Sequence, residues 1–161
     1  MKRFSRILKW LLLSLLSLGL MFQLIPVKRT NPPVVRDFEG PPEVAAILRR
    51  SCYDCHSNEV RWPWYGYVAP VSWLIAHDVE EGRQELNFSE WDLVRTSRHL
   101  LGEIYEESAE GEMPLPIYTL MHPSAKLSGE DLGILRAWAL SQGARLEADK
   151  TGAEDDDDDD D

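Results

Sequence analysis

The chain has 161 residues, with 28 acidic and 17 basic side chains and a formal net charge of −11. That length suits one small domain with appendages, and 20 acids against 11 bases over residues 30–153 argue against a phosphate-binding nucleic-acid interface. Two cysteines exclude a disulfide-dense scaffold and a zinc site of four thiolates.

Residues 1–29 carry six bases and no acid, and residues 10–25 (WLLLSLLSLGLMFQLI) carry no charge. As a helix, residues 10–27 span about 27 Å, close to the hydrocarbon thickness of a bilayer. A cleaved signal peptide needs a small-residue site after the apolar run, and QLIPVK (23–28) is a poor one. Residues 1–29 therefore read as an uncleaved signal anchor. The basic N-terminus lies in the cytoplasm, and the rest of a single-pass bacterial inner-membrane protein faces the periplasm. Residues 30–40, within the proline-rich stretch TNPPVVRDFEGPP, read as a stiff, extended spacer that lets the domain move between partners. Residues 146–161 read as an acidic, disordered, solubilising tail, the alternative being a tether for a basic partner.

The body, residues 41–145, is expected to be all-α. Pro41 and Pro42 start a helix with Val44, Ile47 and Leu48 on its inner face. RWPWYGY (61–67) reads as a rigid aromatic loop. A second helix starts near Pro70, with Val71, Leu74, Ile75 and Val79 as its apolar face. Ser89, with Asp92 three residues on, marks the start of a helix running to about Glu107. Residues 108–127 read as a long loop broken by Gly111, Pro114, Pro116 and Pro123. Ser128 with Asp131 caps the last helix, whose Trp138 packs on the first and which Gly143 ends. A core this thin and a loop this long point to something bound inside.

Cys52-Tyr53-Asp54-Cys55-His56 is a C-x-x-C-H motif, which in an exported chain reads as a c-type haem attachment site. Two thiols a helical turn apart reach the two vinyl groups of one porphyrin, and the histidine that follows lies under the iron. A thioredoxin-type redox pair would follow a strand in a βαβ unit. A zinc site would need ligands that the scattered His77, His99 and His122 do not supply. For the sixth ligand, Met113 is placed by Gly111 and Pro114 in the long loop. His122 and Met121 are its rivals, His77 a weaker one, and His99 reads as a surface residue. Trp62, Trp64 and Tyr65 are candidates for closing over the haem edge, and Arg61 and Tyr67 for contacting its propionates.

Four stretches carry a family resemblance: CYDCHSNEVRWPWY (52–65), LNFSEW (86–91), GEMPLPIYTLMHPSAKLS (111–128) and the Trp138 helix. Residues 41–145 with these stretches resemble the haem-binding domain family of small exported proteins with a single C-x-x-C-H. The element order is also similar to that of class I c-type cytochromes. The resemblance implies a small helical domain holding one covalent haem c through Cys52 and Cys55, with His56 as proximal and Met113 as distal iron ligand. The expected function is a membrane-anchored monohaem electron carrier, not an enzyme, serving redox partner proteins in the periplasm. The alternative is a haem-based sensor, or a haem-bearing subunit of a larger complex, with a labile sixth ligand.

Overall fold

The computed structural model describes residues 2–146, and among these residues no strand of a sheet occurs. Eight helices follow in chain order: α1 (Lys2–Phe22), α2 (Pro42–Ser51), α3 (Tyr53–His56), α4 (Val71–Glu85), α5 (Trp91–Val94), α6 (Arg98–Glu110), α7 (Pro116–Met121) and α8 (Gly129–Ser141). Short 3-10 turns cover Trp64–Tyr67 and Pro123–Ala125. The acidic tail expected from residue 146 lies outside the described residues, except for Leu146, which is buried in the core.

Helix α1 is exposed throughout, and Arg3–Phe22 is long and apolar enough to cross a membrane. Helix α2 follows from its sequence: Pro42 opens it, Glu43 lies in the first turn, and Arg49 and Arg50 lie in the last, each charge matching the helix dipole. Its stripe of Val44, Ile47 and Leu48 is buried, as the i, i+3, i+4 spacing requires. The last helix, α8, opens on a complete capping box. The Ser128 hydroxyl accepts from the Asp131 N–H at 3.1 Å, and Asp131 Oδ2 accepts from the Ser128 N–H at 2.8 Å. Gly143, at φ +79°, takes the left-handed conformation that ends it.

Helices α2, α6 and α8 enclose a core organised by rings. Trp91 and Trp138 stack with centroids 6.3 Å apart, and Phe38 meets them edge-on at 4.7 and 5.8 Å. Tyr53 stacks on Phe88 at 5.3 Å. Each such ring contributes on the order of 1.5–3 kcal/mol through removal of apolar surface from water. Trp138 thus joins the cluster that holds Val44, Ile47 and Leu48 of α2, as expected.

Four sequence expectations are corrected. The first concerns the spacer, which is bound to the domain along its length. Asn31 donates to the Val60 carbonyl at 2.9 Å, Asn58 donates to that of Pro33 at 3.0 Å, and Arg83 donates to that of Thr30 at 2.9 Å. Arg36 makes an isolated parallel bridge with Glu90, and Phe38 enters the core. Proline-rich chain leaves its carbonyls free of internal pairing, and here the domain takes them up. Phe38→Ala is therefore expected to lower the unfolding free energy by about 3–5 kcal/mol in a urea titration, whereas a free spacer would leave it unchanged.

The second concerns the helix expected to run from Ser89 to Glu107, which is two helices, α5 and α6. The buried Ser89 hydroxyl accepts from the Asn58 N–H at 2.9 Å instead of capping. Thr96 Oγ1 donates back to the Leu93 carbonyl at 3.0 Å, and Ser97 caps α6 by accepting from the Leu100 N–H at 3.3 Å. Hydroxyls competing for backbone groups break the helix here. The third concerns the 108–127 loop, which contains the end of α6, all of α7 and a 3-10 turn, because Pro116 and Pro123 open helical turns as well as close them. The fourth concerns the apolar face of α4: Val79 is buried, but Val71 and Leu74 are exposed.

Candidate functional site

The C-x-x-C-H motif is a single tight turn. Cys52 closes α2 through its N–H to the Leu48 carbonyl (2.8 Å), and its own carbonyl accepts from the N–H groups of Cys55 (3.1 Å) and His56 (2.9 Å). The two residues between the cysteines anchor that turn on opposite sides. The Tyr53 hydroxyl donates to Asp37 at 2.7 Å, its ring lies 4.7 Å from the Arg49 guanidinium carbon, and Arg49 also pairs with Asp37. Asp54 accepts from the Tyr118 hydroxyl of α7 at 2.8 Å and pairs with Arg61 at 3.4 Å.

His56 is held by α4. Its Nδ1 lies 2.8 Å from the Gly82 carbonyl and 3.1 Å from that of Leu86. Carbonyl oxygens only accept, so Nδ1 carries the proton and Nε2 keeps its lone pair, the tautomer a metal-ligating histidine needs. Burial holds the imidazole pKa below its ordinary value, against the opposing pull of the two carbonyl hydrogen bonds. The Phe88 ring meets the imidazole edge-on at 6.5 Å, and the Phe88 N–H donates to the His56 carbonyl at 2.8 Å.

Gly82 permits this approach. A Cβ there would lie 3.2 Å from the Cys55 carbonyl oxygen and 3.3 Å from His56 Cε1, tighter than ordinary contact, whereas a Cβ at Gly133 of α8 would meet nothing. Helix propensity alone favours alanine over glycine at both positions by about 1 kcal/mol. Gly133→Ala is therefore expected to stabilise the protein, and Gly82→Ala to destabilise it by crowding the motif turn, as read by urea midpoints. An equal gain in both variants would contradict the close approach.

Cys52 and Cys55 are not joined in a disulfide. Burial pushes the Cys52 thiol up to about 12, with the neighbouring Cys55 adding to it. Burial, then the charges of Asp78 and Asp54, pushes Cys55 up to about 12. Both are therefore S–H at neutral pH, unlike the low-pKa thiolate of a C-x-x-C redox centre. Among the described residues no group of three or more His, Cys, Asp or Glu side chains could hold a metal ion.

Two adjoining clefts of about 240 and 310 Å³ open at this turn, and Ser51, Cys52, His56, Glu85, Met113 and Pro114 line both. Met113 reaches this wall because Gly111, at φ +83°, ends α6 in a left-handed turn and the Met113 N–H donates to the Glu107 carbonyl at 3.0 Å. Met121 and His122 line an adjoining cavity between α4 and α7, which shares Asp54, Cys55 and Tyr118 with the second cleft but does not reach His56. There His122 Nε2 lies 2.5 Å from the Tyr65 hydroxyl, and its ring stacks on Tyr118 at 4.4 Å. His77 and His99 are exposed beside Glu81 and Glu103. Of the rival sixth ligands, Met113 alone shares a cleft with His56.

A porphyrin with iron fits this lining. The chain presents two thiols on one turn, an imidazole with Nε2 unprotonated, a thioether, and apolar walls from Leu86, Phe88, Leu100 and Ile104. The buried Ser51 Oγ lacks a hydrogen-bond partner within the protein and lies on the shared wall, as expected of a hydroxyl facing a polar ligand edge. Of the expected haem-edge and propionate groups, Tyr65 and Arg61 line the α4–α7 cavity together with Cys55, whereas Trp62, Trp64 and Tyr67 line neither that cavity nor the two clefts. Trp64 is exposed, Trp62 lies beside the 26–30 segment, and Tyr65 faces His122. Arg61 pairs with Asp54, and Tyr67 lies under Arg29. Among the described residues no lysine or arginine lines either cleft. Gly82, the Leu86 carbonyl and Ser51 escaped sequence reasoning. The one available signal was Gly82 itself, a glycine inside a helix that propensity disfavours.

No curated protein and no solved structure matches the chain. The profile of the haem-binding domain family matches residues 17–141. That span takes in the last six residues of α1, the bound spacer, the motif turn and both clefts through to the end of α8. The match covers most of the sequence and coincides with the site built above, so the chain belongs to the haem-binding domain family.

Proposed function

We propose that the protein is a membrane-anchored, monohaem c-type cytochrome that carries electrons in the periplasm of a bacterium. The observation that carries this reading is the wall shared by Cys52, His56 and Met113, with Cys55 one turn away on the second cleft. Cys52 and Cys55 would hold the macrocycle by thioethers, and His56 Nε2 and the Met113 thioether would ligate the iron. When bound, the haem supplies a one-electron ferric–ferrous couple. The chain's own contribution is positional. The Gly82 and Leu86 carbonyls fix the imidazole's tautomer and orientation, and Leu86, Phe88, Leu100 and Ile104 offer apolar surface to the macrocycle. No substrate is transformed. Because the spacer is tied to the domain, redox partner proteins come to the site and the domain does not travel on a loose tether.

Carbon monoxide tests this against the sensor reading. A ferrous holoprotein with Met113 in place gives an unchanged visible spectrum under carbon monoxide. Rapid formation of a carbonyl spectrum would show a labile or open sixth position and favour the sensor.

A further inference from the structure

The exposed apolar residues beyond the spacer are concentrated in two segments. Trp64, Tyr67, Val68, Val71 and Leu74 belong to one, and Ile117, Leu120 and Met121 to the other, with Trp64 75% and Leu120 77% exposed. Five of these eight line the same cavity between α4 and α7, about 290 Å³ in volume, so the two segments form one face. In a chain in which 28% of residues are charged, residues 62–76 and 113–121 contain no Asp, Glu, Lys or Arg. Soluble surfaces rarely leave so large an apolar face bare.

The end of α1 lies against this face. The Phe22 ring meets Trp73 edge-on at 5.5 Å. Gln23 donates to the Tyr67 carbonyl at 2.6 Å and accepts from the Ala69 N–H at 3.1 Å. At the α1 edge of the face the charges are cationic: the Arg29 guanidinium carbon lies 4.5 Å from the centre of the Tyr67 ring and Arg29 donates to the Gly66 carbonyl at 3.3 Å, with Lys28 beside it in the sequence. Asp54, Arg61 and Asp78 also line the α4–α7 cavity, where Asp54 accepts from the Tyr118 hydroxyl at 2.8 Å. A helix apolar enough to span a bilayer thus ends within hydrogen-bonding distance of an aromatic and aliphatic face whose two exposed segments carry no charged side chain and whose α1 edge is cationic. That is the composition of a surface at the headgroup level, where tryptophan and tyrosine collect and basic side chains meet anionic lipid.

We propose that the face formed by residues 64–74 and 117–121 rests on the lipid surface, so that the domain lies against the bilayer in one orientation instead of standing clear of it. This rests on the anchor reading of α1. Cys55 lines both the α4–α7 cavity and one cleft of the site, so such docking also sets the side from which partners reach the site.

The test uses the full-length holoprotein in vesicles of equal parts phosphatidylcholine and phosphatidylglycerol. These are doped with a diazirine lipid whose photoreactive group sits at the headgroup boundary, or with one whose group sits at the acyl terminus. Adducts are mapped by peptide mass spectrometry. The expected result is α1 labelled by both probes, residues 64–74 and 117–121 labelled by the shallow probe, and α8 unlabelled. Leu120→Glu, a change at an exposed position that leaves folding intact, is expected to reduce labelling of 117–121 to the level of α8. Labelling confined to α1 overturns the docked face while the anchor stands. An unlabelled α1 overturns the anchor, and the docked face with it. Segments 64–74 and 117–121 left unlabelled, together with a dimer mass on sedimentation of the detergent-solubilised holoprotein that Leu120→Glu returns to a monomer, would assign the face to a second copy and overturn the proposal.

Discussion

The Cys52→Ala/Cys55→Ala double variant is expected to lose its pigment completely to acid–acetone, whereas the parent keeps its colour on the polypeptide. The argument starts from the turn. Cys52 and Cys55 flank the Tyr53–Asp54 pair, and the Cys55 N–H donates to the Cys52 carbonyl at 3.1 Å, so the two side chains leave the same turn. Both thiols are half-buried, and burial pushes each up to about 12. They are not set up as thiolate chemistry of the chain's own, and covalent capture by a porphyrin is the use proposed for their spacing. The variant should still fold, because Tyr53 and Asp54 anchor the turn through Asp37 and Tyr118 without either sulfur. Residual non-covalent haem in the variant, removed by acid–acetone, fits this account. Pigment that survives extraction would not.

The second large effect is expected at Met113. Met113→Ala should abolish the weak long-wavelength band of iron–sulfur ligation and open the ferrous form to carbon monoxide. It should also lower the reduction potential by a sizeable part of the roughly 0.8 V that axial ligands span. Met121→Ala and His122→Ala should leave all three readouts unchanged. The distinction rests on placement. Met113 lines both clefts with His56, and its N–H is fixed on the Glu107 carbonyl at 3.0 Å. His122 is engaged by Tyr65 and Tyr118 in another cavity. If the band survives in Met113→Ala and disappears in His122→Ala, the ligand assignment is reversed.

These two predictions mark where sequence reading succeeds and where it stops. The motif Cys52–His56, the inner stripe of α2 and the Ser128–Asp131 cap are local patterns, fixed by spacings of three to four residues, and the structure reproduces the stripe and the cap. The hydroxyls of Thr96 and Ser97 that split α5 from α6 are local too, but their effect depends on a contest with the backbone that an apolar period does not register. The remaining features are long-range. His56 is oriented by carbonyls 26 and 30 residues away, and His122 is withdrawn from the site by Tyr65, 57 residues away. Nothing in residues 30–40 announces that Phe38 is buried against Trp91 and Trp138, because proline content reports stiffness and not what a stiff segment lies against.

The most direct test of the account is the mass of the peptide spanning Cys52 to His56 in protein matured by a haem-attachment system and stripped with acid–acetone. The account predicts one haem added to that peptide and no free thiol in it. Recovery of the peptide at its unmodified mass, with both thiols open to alkylation, would contradict covalent attachment and with it the proposed carrier.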